Sequence, residues 1–258
     1  MSRCRADLLL VERGLCASRA EAQRLLLAGK VQTAGRRVEK PGTLLPEDAP
    51  LEVSGPAHPF VSRGGVKLQH ALAVFRVDPA TRTCLDVGAS TGGFTDCLLQ
   101  AGARQIVAVD VGYGQFDLRL RQDPRVLLLE RTNIRHLESL PVTPDLATID
   151  VSFISLAVVL SPVVRLLGEP HEVVALVKPQ FEVGKGHVGK NGVVRDPALH
   201  RGALERVAAA AADLGSAVLG MTASPLLGPM GNREFFIHLR SGGPAGDPGA
   251  FVAQAVAG

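Results

Sequence analysis

The stretch TCLDVGASTGGFTDCLLQA, residues 83–101, decides the fold. Thr83–Val87 reads as a short apolar strand carrying one acid, Asp86. It runs into Gly88-Ala89-Ser90-Thr91-Gly92-Gly93-Phe94, and a helix is expected over Thr95–Ala101. Strand, glycine-rich turn and helix make a platform where a ligand can approach the backbone and the helix N-terminus. The dinucleotide fingerprint has the spacing G-x-G-x-x-G. Here the spacing is D-x-G-x-x-x-G-G, which lacks the second glycine and adds an acid before the turn. That departure counts against a nicotinamide dinucleotide. A plain capping role for Asp86 is the structural alternative.

Outward from this turn, residues 83–240 alternate apolar strands with amphipathic helical segments, the pattern of an α/β domain built on a mostly parallel sheet. Further strands are expected at Gln105–Asp110, Val126–Glu130, Leu146–Asp150, Val173–Lys178 and Phe235–Leu239. Three of them end in acids, Asp110, Glu130 and Asp150, on the carboxyl edge where open α/β sheets bind ligands. Asp110 stands where an acid usually holds ribose hydroxyls, and the third strand runs on into Thr132 and Asn133. The turn resembles the S-adenosylmethionine (SAM) loop of Rossmann-like methyltransferases. The resemblance implies SAM as cofactor, with contacts from Asp86, residues 88–94, Asp110, Thr132, Asn133 and Asp150.

The stretch VVALVKPQFEVGKG, Val173–Gly186, brings a cation, Lys178, to the tip of a buried strand before a glycine-rich loop. A lysine that snorkels to water explains a strand end. Lys178, however, falls on the same edge as Asp150. Lys67 opens a helix expected over Lys67–Phe75, and Glu234 opens the final strand, so Lys67, Asp150, Lys178 and Glu234 can converge. The order Lys-Asp-Lys-Glu resembles the tetrad of FtsJ-like RNA 2′-O-methyltransferases. VSRGGVKL, LDVGASTGGFTDCLL, VDVGYGQ, LERTNIR, DVSFISL, LVKPQFEVGKG, GVVRDP and GNREFF together resemble the TlyA family. Its members methylate cytidine 2′-hydroxyls in ribosomal RNA and join an S4-type domain to a SAM fold. The resemblance implies an rRNA methyltransferase in which Lys178 accepts or steers the hydroxyl proton. Asp150 and Lys67 then orient it, and Glu234 holds Lys67 or the ribose. Family members often carry an arginine- and tryptophan-bearing linker before VSRG, where this chain has His58-Pro59-Phe60.

Residues 1–57 are of another kind. Over residues 13–40 seven cations face two acids, an excess larger than the net +3 of the whole chain. A solvated face is the plain reading of such a cluster and an anionic partner the sharper one. Asp7–Val11 begins a helix that should end near Gly14. Ser18, with Glu21 three residues on, caps a second helix over Arg19–Ala28. Lys30–Val38 reads as a hairpin with a basic turn. The stretch resembles the small S4 RNA-binding domain, whose helix and following loop contact RNA backbone. That implies Arg19, Arg24, Lys30, Arg36 and Arg37, with ribosomal RNA or ribosomal subunits as partner. The expected organisation is an α+β S4-like domain over 1–57, a linker over 58–66 and a Rossmann-like methyltransferase domain over 67–258.

Arg63, Lys185 and Lys190 are further candidate RNA contacts. The last two lie in FEVGKGHVGKNGVVR, residues 181–195, which reads equally well as a surface connector or as an RNA-touching lid. Phe153 and Phe181 could stack a base, although a phenylalanine beside apolar sequence is more often core. SGGPAGDPG reads as a flexible connector before a short apolar tail. Four cysteines form no C-x-x-C pair and the seven histidines are scattered, so no metal site is expected. With 46% hydrophobic and 21% charged residues and no spanning run, a cytoplasmic protein is expected; its oligomeric state stays open, with a monomer favoured. A pore-forming protein and a non-catalytic ribosome-assembly factor are the rival readings. The first lacks a long amphipathic or spanning segment, and an intact tetrad argues against the second.

Overall fold

The computed structural model describes residues 3–16, 18–53 and 58–258, with backbone alone at Lys185, Lys190 and Pro229. The chain forms two compact units, Met1–Pro59 and Phe60–Gly258. The first contains β1 (Arg3–Arg5), α1 (Ala6–Glu12), α2 (Arg19–Leu27), β2 (Val31–Thr33), β3 (Arg36–Arg37), β4 (Leu44–Pro46) and β5 (Leu51–Val53). Helix α2 starts at Ser18, whose Oγ accepts from the Glu21 amide at 3.2 Å. Ala6, Leu9, Leu10, Ala22, Leu26, Val31, Val38 and Leu45 form its core. Strands β3, β2 and β5 make one small sheet, β1 and β4 another. The hairpin turn is Ala34-Gly35, both at positive φ, as a two-residue connection with matching twist requires. The basic pair Arg36-Arg37 therefore sits on the strand after the turn, not in the turn.

The second unit holds α3 (Arg63–Phe75), β6 (Thr83–Val87), α4 (Gly93–Gln100), β7 (Gln105–Val109), α5 (Leu118–Arg121), β8 (Val126–Leu129), β9 (Leu146–Ile149), α6 (Leu156–Arg165), β10 (Glu172–Val177), α7 (Pro179–Glu182), α8 (Pro197–Asp213), β11 (Ser216–Ala223), β12 (Phe235–Ser241) and α9 (Pro248–Ala257). Seven strands lie in the order β8-β7-β6-β9-β10-β12-β11, parallel except where β12 runs against both of its neighbours. The order reverses between β6 and β9, the switch point at which open α/β sheets hold ligands.

Both faces of the sheet are covered, which explains the unbroken apolar runs. Along β10, Val173, Ala175 and Val177 face the layer of α6, α8 and α9, whereas Val174 and Leu176 face the layer of α3 and α4. Helix α3 begins a turn earlier than expected, at Arg63, because the Ser62 Oγ accepts from the Gly64 amide. The apolar tail is also no loose end. Asp247 caps it and Pro248 opens it as a helix that buries Val252, Ala255 and Val256. Among the described residues no helix is long and apolar enough to cross a membrane.

Candidate active site

The loop after β6 is shaped by glycines with no room for a side chain. Gly88 has φ +82°, and a Cβ there would lie 2.5 Å from the Asp150 carbonyl oxygen, so the loop rests directly on the end of β9. Gly93 opens α4 against the start of α3, where a Cβ would stand 2.1 Å from Ser62 Oγ. Gly92 has φ +95° and backs onto Leu120 and Phe116; it shapes the turn without lining a cavity.

Two adjoining cavities share Gly88, Ser90 and Asp150. The larger, about 490 Å³, runs along the ends of β7 and β9 and is lined by Asp110, Thr132, Asn133, Ile134, Ser152 and Phe153 among others. The smaller, about 260 Å³, lies between the N-terminus of α3 and the glycine loop. Arg63, Lys67, Ala89, Thr91, Gly93, Phe94 and Gly228 are among its walls. Asp110 accepts from the Ser90 amide at 2.8 Å and the Gly112 amide at 2.6 Å, which locks the loops after β6 and β7 together beneath the larger cavity. Asn133 spends its side-chain oxygen on the Arg135 amide, and Thr132 donates its hydroxyl to the Glu130 carbonyl.

Asp86 is not at the cavity surface. It is fully buried and reaches neither cavity; Thr95 donates to it at 2.6 Å and Thr148 at 3.4 Å. The reason is position along the strand. Asp86 lies within β6, level with Ala108 and Thr148, and points under α4, whereas Asp110 and Asp150 stand two residues further on, past the ends of their strands, and reach the edge. Burial pushes its carboxyl up to about 7, against the hydrogen bonds that lower it. Glu130 also turns away, engaged by Arg121 at 2.7 Å and the Gly114 amide at 2.8 Å.

The four residues of the tetrad form two ion pairs. Lys178 Nζ lies 2.6 Å from Asp150 Oδ1 and donates to Ser152 Oγ at 2.8 Å. Lys67 Nζ donates to Glu234 Oε2 at 2.5 Å in a buried pair that joins α3 to the start of β12. Lys67 and Asp150 face the same cavity. Glu234 therefore holds Lys67, and the partner that orients Lys178 is Asp150. Gly228 permits the Glu234 position, since a Cβ there would fall 2.1 Å from Glu234 Oε1. Sequence reasoning missed Ser152 and Gly228, because a serine in a loop and a glycine in a turn carry no signal of their own. It also leaned toward a core position for Phe153, which is 92% exposed at the rim, at φ +64°, beside Phe181.

The basic candidates divide. Arg24, Arg36 and Arg37 are exposed, and Lys30 is partly so. Arg19 is committed to the buried Asp7 at 2.9 Å, which also takes Arg5 and Gln23. Arg63 is exposed and donates to the Leu227 carbonyl at 3.1 Å. The side chains of Lys185 and Lys190 lie outside the described residues. The loop that carries them is pinned at its far end, where Asn232 accepts from the Val194 amide at 3.0 Å and donates to the Gly192 carbonyl at 2.9 Å. Among the described residues no cluster of three or more His, Cys, Asp or Glu could hold a metal ion.

A sheet of this order, with a glycine loop and a carboxylate edge at its switch point, defines a Rossmann-like methyltransferase. Residues 60–241 match the FtsJ-like methyltransferase family and residues 4–49 match the S4 domain. The chain belongs to the FtsJ-like methyltransferases, in their TlyA branch. A Mycobacterium tuberculosis protein named 16S/23S rRNA (cytidine-2′-O)-methyltransferase TlyA is 50% identical over 242 residues, covering 93% of this chain and 90% of that one. Hemolysin A of Brachyspira hyodysenteriae is 35% identical over 237 residues, 91% of this chain and 98% of that one. A solved structure from Streptococcus thermophilus with a provisional hemolysin label covers all of this chain and 95% of its own, at 42% identity and a TM-score of 0.78.

Proposed function

We propose that this enzyme methylates the ribose 2′-hydroxyl of cytidine in ribosomal RNA, with SAM as methyl donor. The observation that carries the reading is the Lys178–Asp150 pair at the carboxyl edge, with Asp150 facing both cavities and the buried Lys67–Glu234 pair behind the smaller one. The residues present suit SAM. Asp110 offers a carboxylate to a ribose beside Thr132 and Asn133, and Gly88 and Gly93 present backbone to the cavity wall. When bound, SAM supplies an activated methyl group on a sulfonium.

The protein's own task is to hold the hydroxyl and take its proton. A free lysine, with a pKa of about 10.4, is a poor base at neutral pH. Lys178 acts through its partner. Ser152 Oγ accepts one of its hydrogens, the Asp150 carboxylate lies against it as counter-ion, and a remaining hydrogen is offered to the 2′-oxygen. The 2′-hydroxyl gives up its proton to the Lys178–Asp150 pair as its oxygen takes the methyl group that leaves the sulfonium. Lys67, fixed by Glu234, adds a cation at the cavity wall that steadies the developing negative charge on the 2′-oxygen.

Lys178→Ala should lower methyl transfer by about 10²–10⁴-fold, the usual worth of positioned acid–base help, and leave SAM affinity nearly intact. Incubation of separated ribosomal subunits and free rRNA with labelled SAM, followed by mapping of 2′-O-methyl sites, tests the function itself. Near-normal turnover in Lys178→Ala would sink the lysine's role. Label on a base or on protein would sink the reaction class.

A further inference from the structure

The segments that follow β9 and β10 are fastened along their length. Lys178 meets Asp150 and Ser152, and Phe181 lies against Phe153 with ring centroids 5.3 Å apart. Glu182 closes the far end. It is only 2% exposed, yet it carries a carboxylate. Its Oε2 accepts from Ser155 Oγ at 2.6 Å and its Oε1 from the Leu156 amide at 2.7 Å. Leu156 is the first residue of α6, and the N-cap Ser155 makes no capping bond with its own side chain. A carboxylate from another element thus caps the helix, at the end where negative charge is favoured and amides lack partners. Arg206 of α8 fixes the backbone beneath it by donating to the Glu182 carbonyl at 2.7 Å.

Capping alone does not call for this arrangement. Ser155 could accept from the first turn of α6 by itself, and burying a carboxylate is costly unless its oxygens are bonded. What Glu182 adds is a tie between α6 and the turn that begins at Lys178. The loop from β9 into α6 is under tension, since Phe153 is a bulky residue held at φ +64°. Such conformations persist only where their surroundings enforce them.

We propose that Glu182 is a positioning residue for methyl transfer: its carboxylate clamps the N-terminus of α6 to the turn after Lys178 and so keeps Asp150 and Ser152 where Lys178 needs them. The proposal rests on the reading of Lys178 given above. Full-length Glu182→Ala, Glu182→Gln, Ser155→Ala and Lys178→Ala are compared in single-turnover methyl transfer to rRNA, with SAM affinity measured separately by calorimetry.

Glu182→Ala should slow the reaction by about 10- to 100-fold, the scale of a misplacement of about 1 Å, with little change in SAM affinity. Glu182→Gln keeps an acceptor for the Leu156 amide and offers a donor to Ser155, so it should recover most of the rate. A parental rate in Glu182→Ala overturns the proposal, as does a loss that Glu182→Gln fails to repair. Should Glu182→Ala not fold, Ser155→Ala decides. A slower reaction at unchanged SAM affinity supports the clamp, and a parental rate overturns it. An inactive Lys178→Ala beside a fully active Glu182→Ala defeats the clamp alone. An active Lys178→Ala defeats the parent reading and the clamp with it.

Discussion

Asp86 shows how a residue next to a ligand site can serve it without touching it. Its carboxyl is buried beneath α4, bonded to Thr95 and Thr148, and burial raises it from 3.8 to about 7. An acid that holds its proton more tightly when folded gives stability that is fully present below the unfolded value and lost as pH rises through the folded one. The parent should therefore lose melting temperature between about pH 4 and pH 8 relative to Asp86→Asn, which has no charge to bury. Scanning calorimetry of both proteins across that range checks this, and parallel curves would mean that no charge forms at this position. The Lys67–Glu234 pair follows the opposite logic. Glu234 is fully buried and its Oε1 has no hydrogen-bond partner among the described residues. Lys67→Met leaves that carboxylate without its cation, which should cost about 3–5 kcal/mol. Adding Glu234→Gln should restore most of the melting temperature but not the activity. Recovery of both would exclude the pair from the chemistry.

At the scale of elements, the glycine loop does its work by letting backbone meet backbone. A methyl group at Gly88 would press on the Asp150 carbonyl and strain a left-handed residue, so Gly88→Ala should shift the end of β9 and the Asp150–Lys178 pair together. SAM affinity and methyl transfer should both fall by about tenfold or more. Isothermal titration beside a rate measurement separates this from Lys178→Ala, where the rate alone falls. This loop was legible in the sequence, because few arrangements other than strand, close-packed turn and helix need glycines at those intervals. The strand order was legible only as alternation: nothing local reveals that β12 inserts antiparallel between β10 and β11. The tetrad could be named but not paired, since Lys67 and Glu234 are 167 residues apart and a pairing follows from register, not spacing. Asp86 was misplaced because a strand-end acid reads alike whether it lies one residue before the edge or one beyond it. Helix α9 was missed because glycine and proline obscure a helix whose stability comes from packing on β11 and α8.

For the whole molecule, the proposed function assigns RNA binding to the S4 unit and chemistry to the methyltransferase unit. The basic stretch 13–40 lies in the first, and the Lys178–Asp150 and Lys67–Glu234 pairs and the two cavities lie in the second. Not every cation of the S4 unit is available to an anionic partner. Arg13 donates to the carbonyls of Ala49 and Glu47, and Arg19 and Arg5 neutralise Asp7, whose carboxyl they hold well below the usual range. Arg24, Arg36 and Arg37 are exposed, as Arg13 and Arg19 also are, but enter none of these bonds. Each phosphate of single-stranded RNA that a side chain ceases to neutralise should reduce the slope of log affinity against log salt by about 0.7. Replacing Arg24, Arg36 and Arg37 by alanine should therefore weaken rRNA binding, flatten its salt dependence by up to about two, and leave SAM affinity unchanged. Arg19→Ala should differ in kind. It strips a cation from a buried acid, so it should lower the melting temperature of the S4 unit as well as RNA affinity. Binding measured across a salt series, beside calorimetry of the same variants, separates the two effects. An unchanged salt slope in the triple variant would remove this face from RNA recognition, and an unchanged melting temperature in Arg19→Ala would show that Arg5 and Gln23 suffice to hold Asp7.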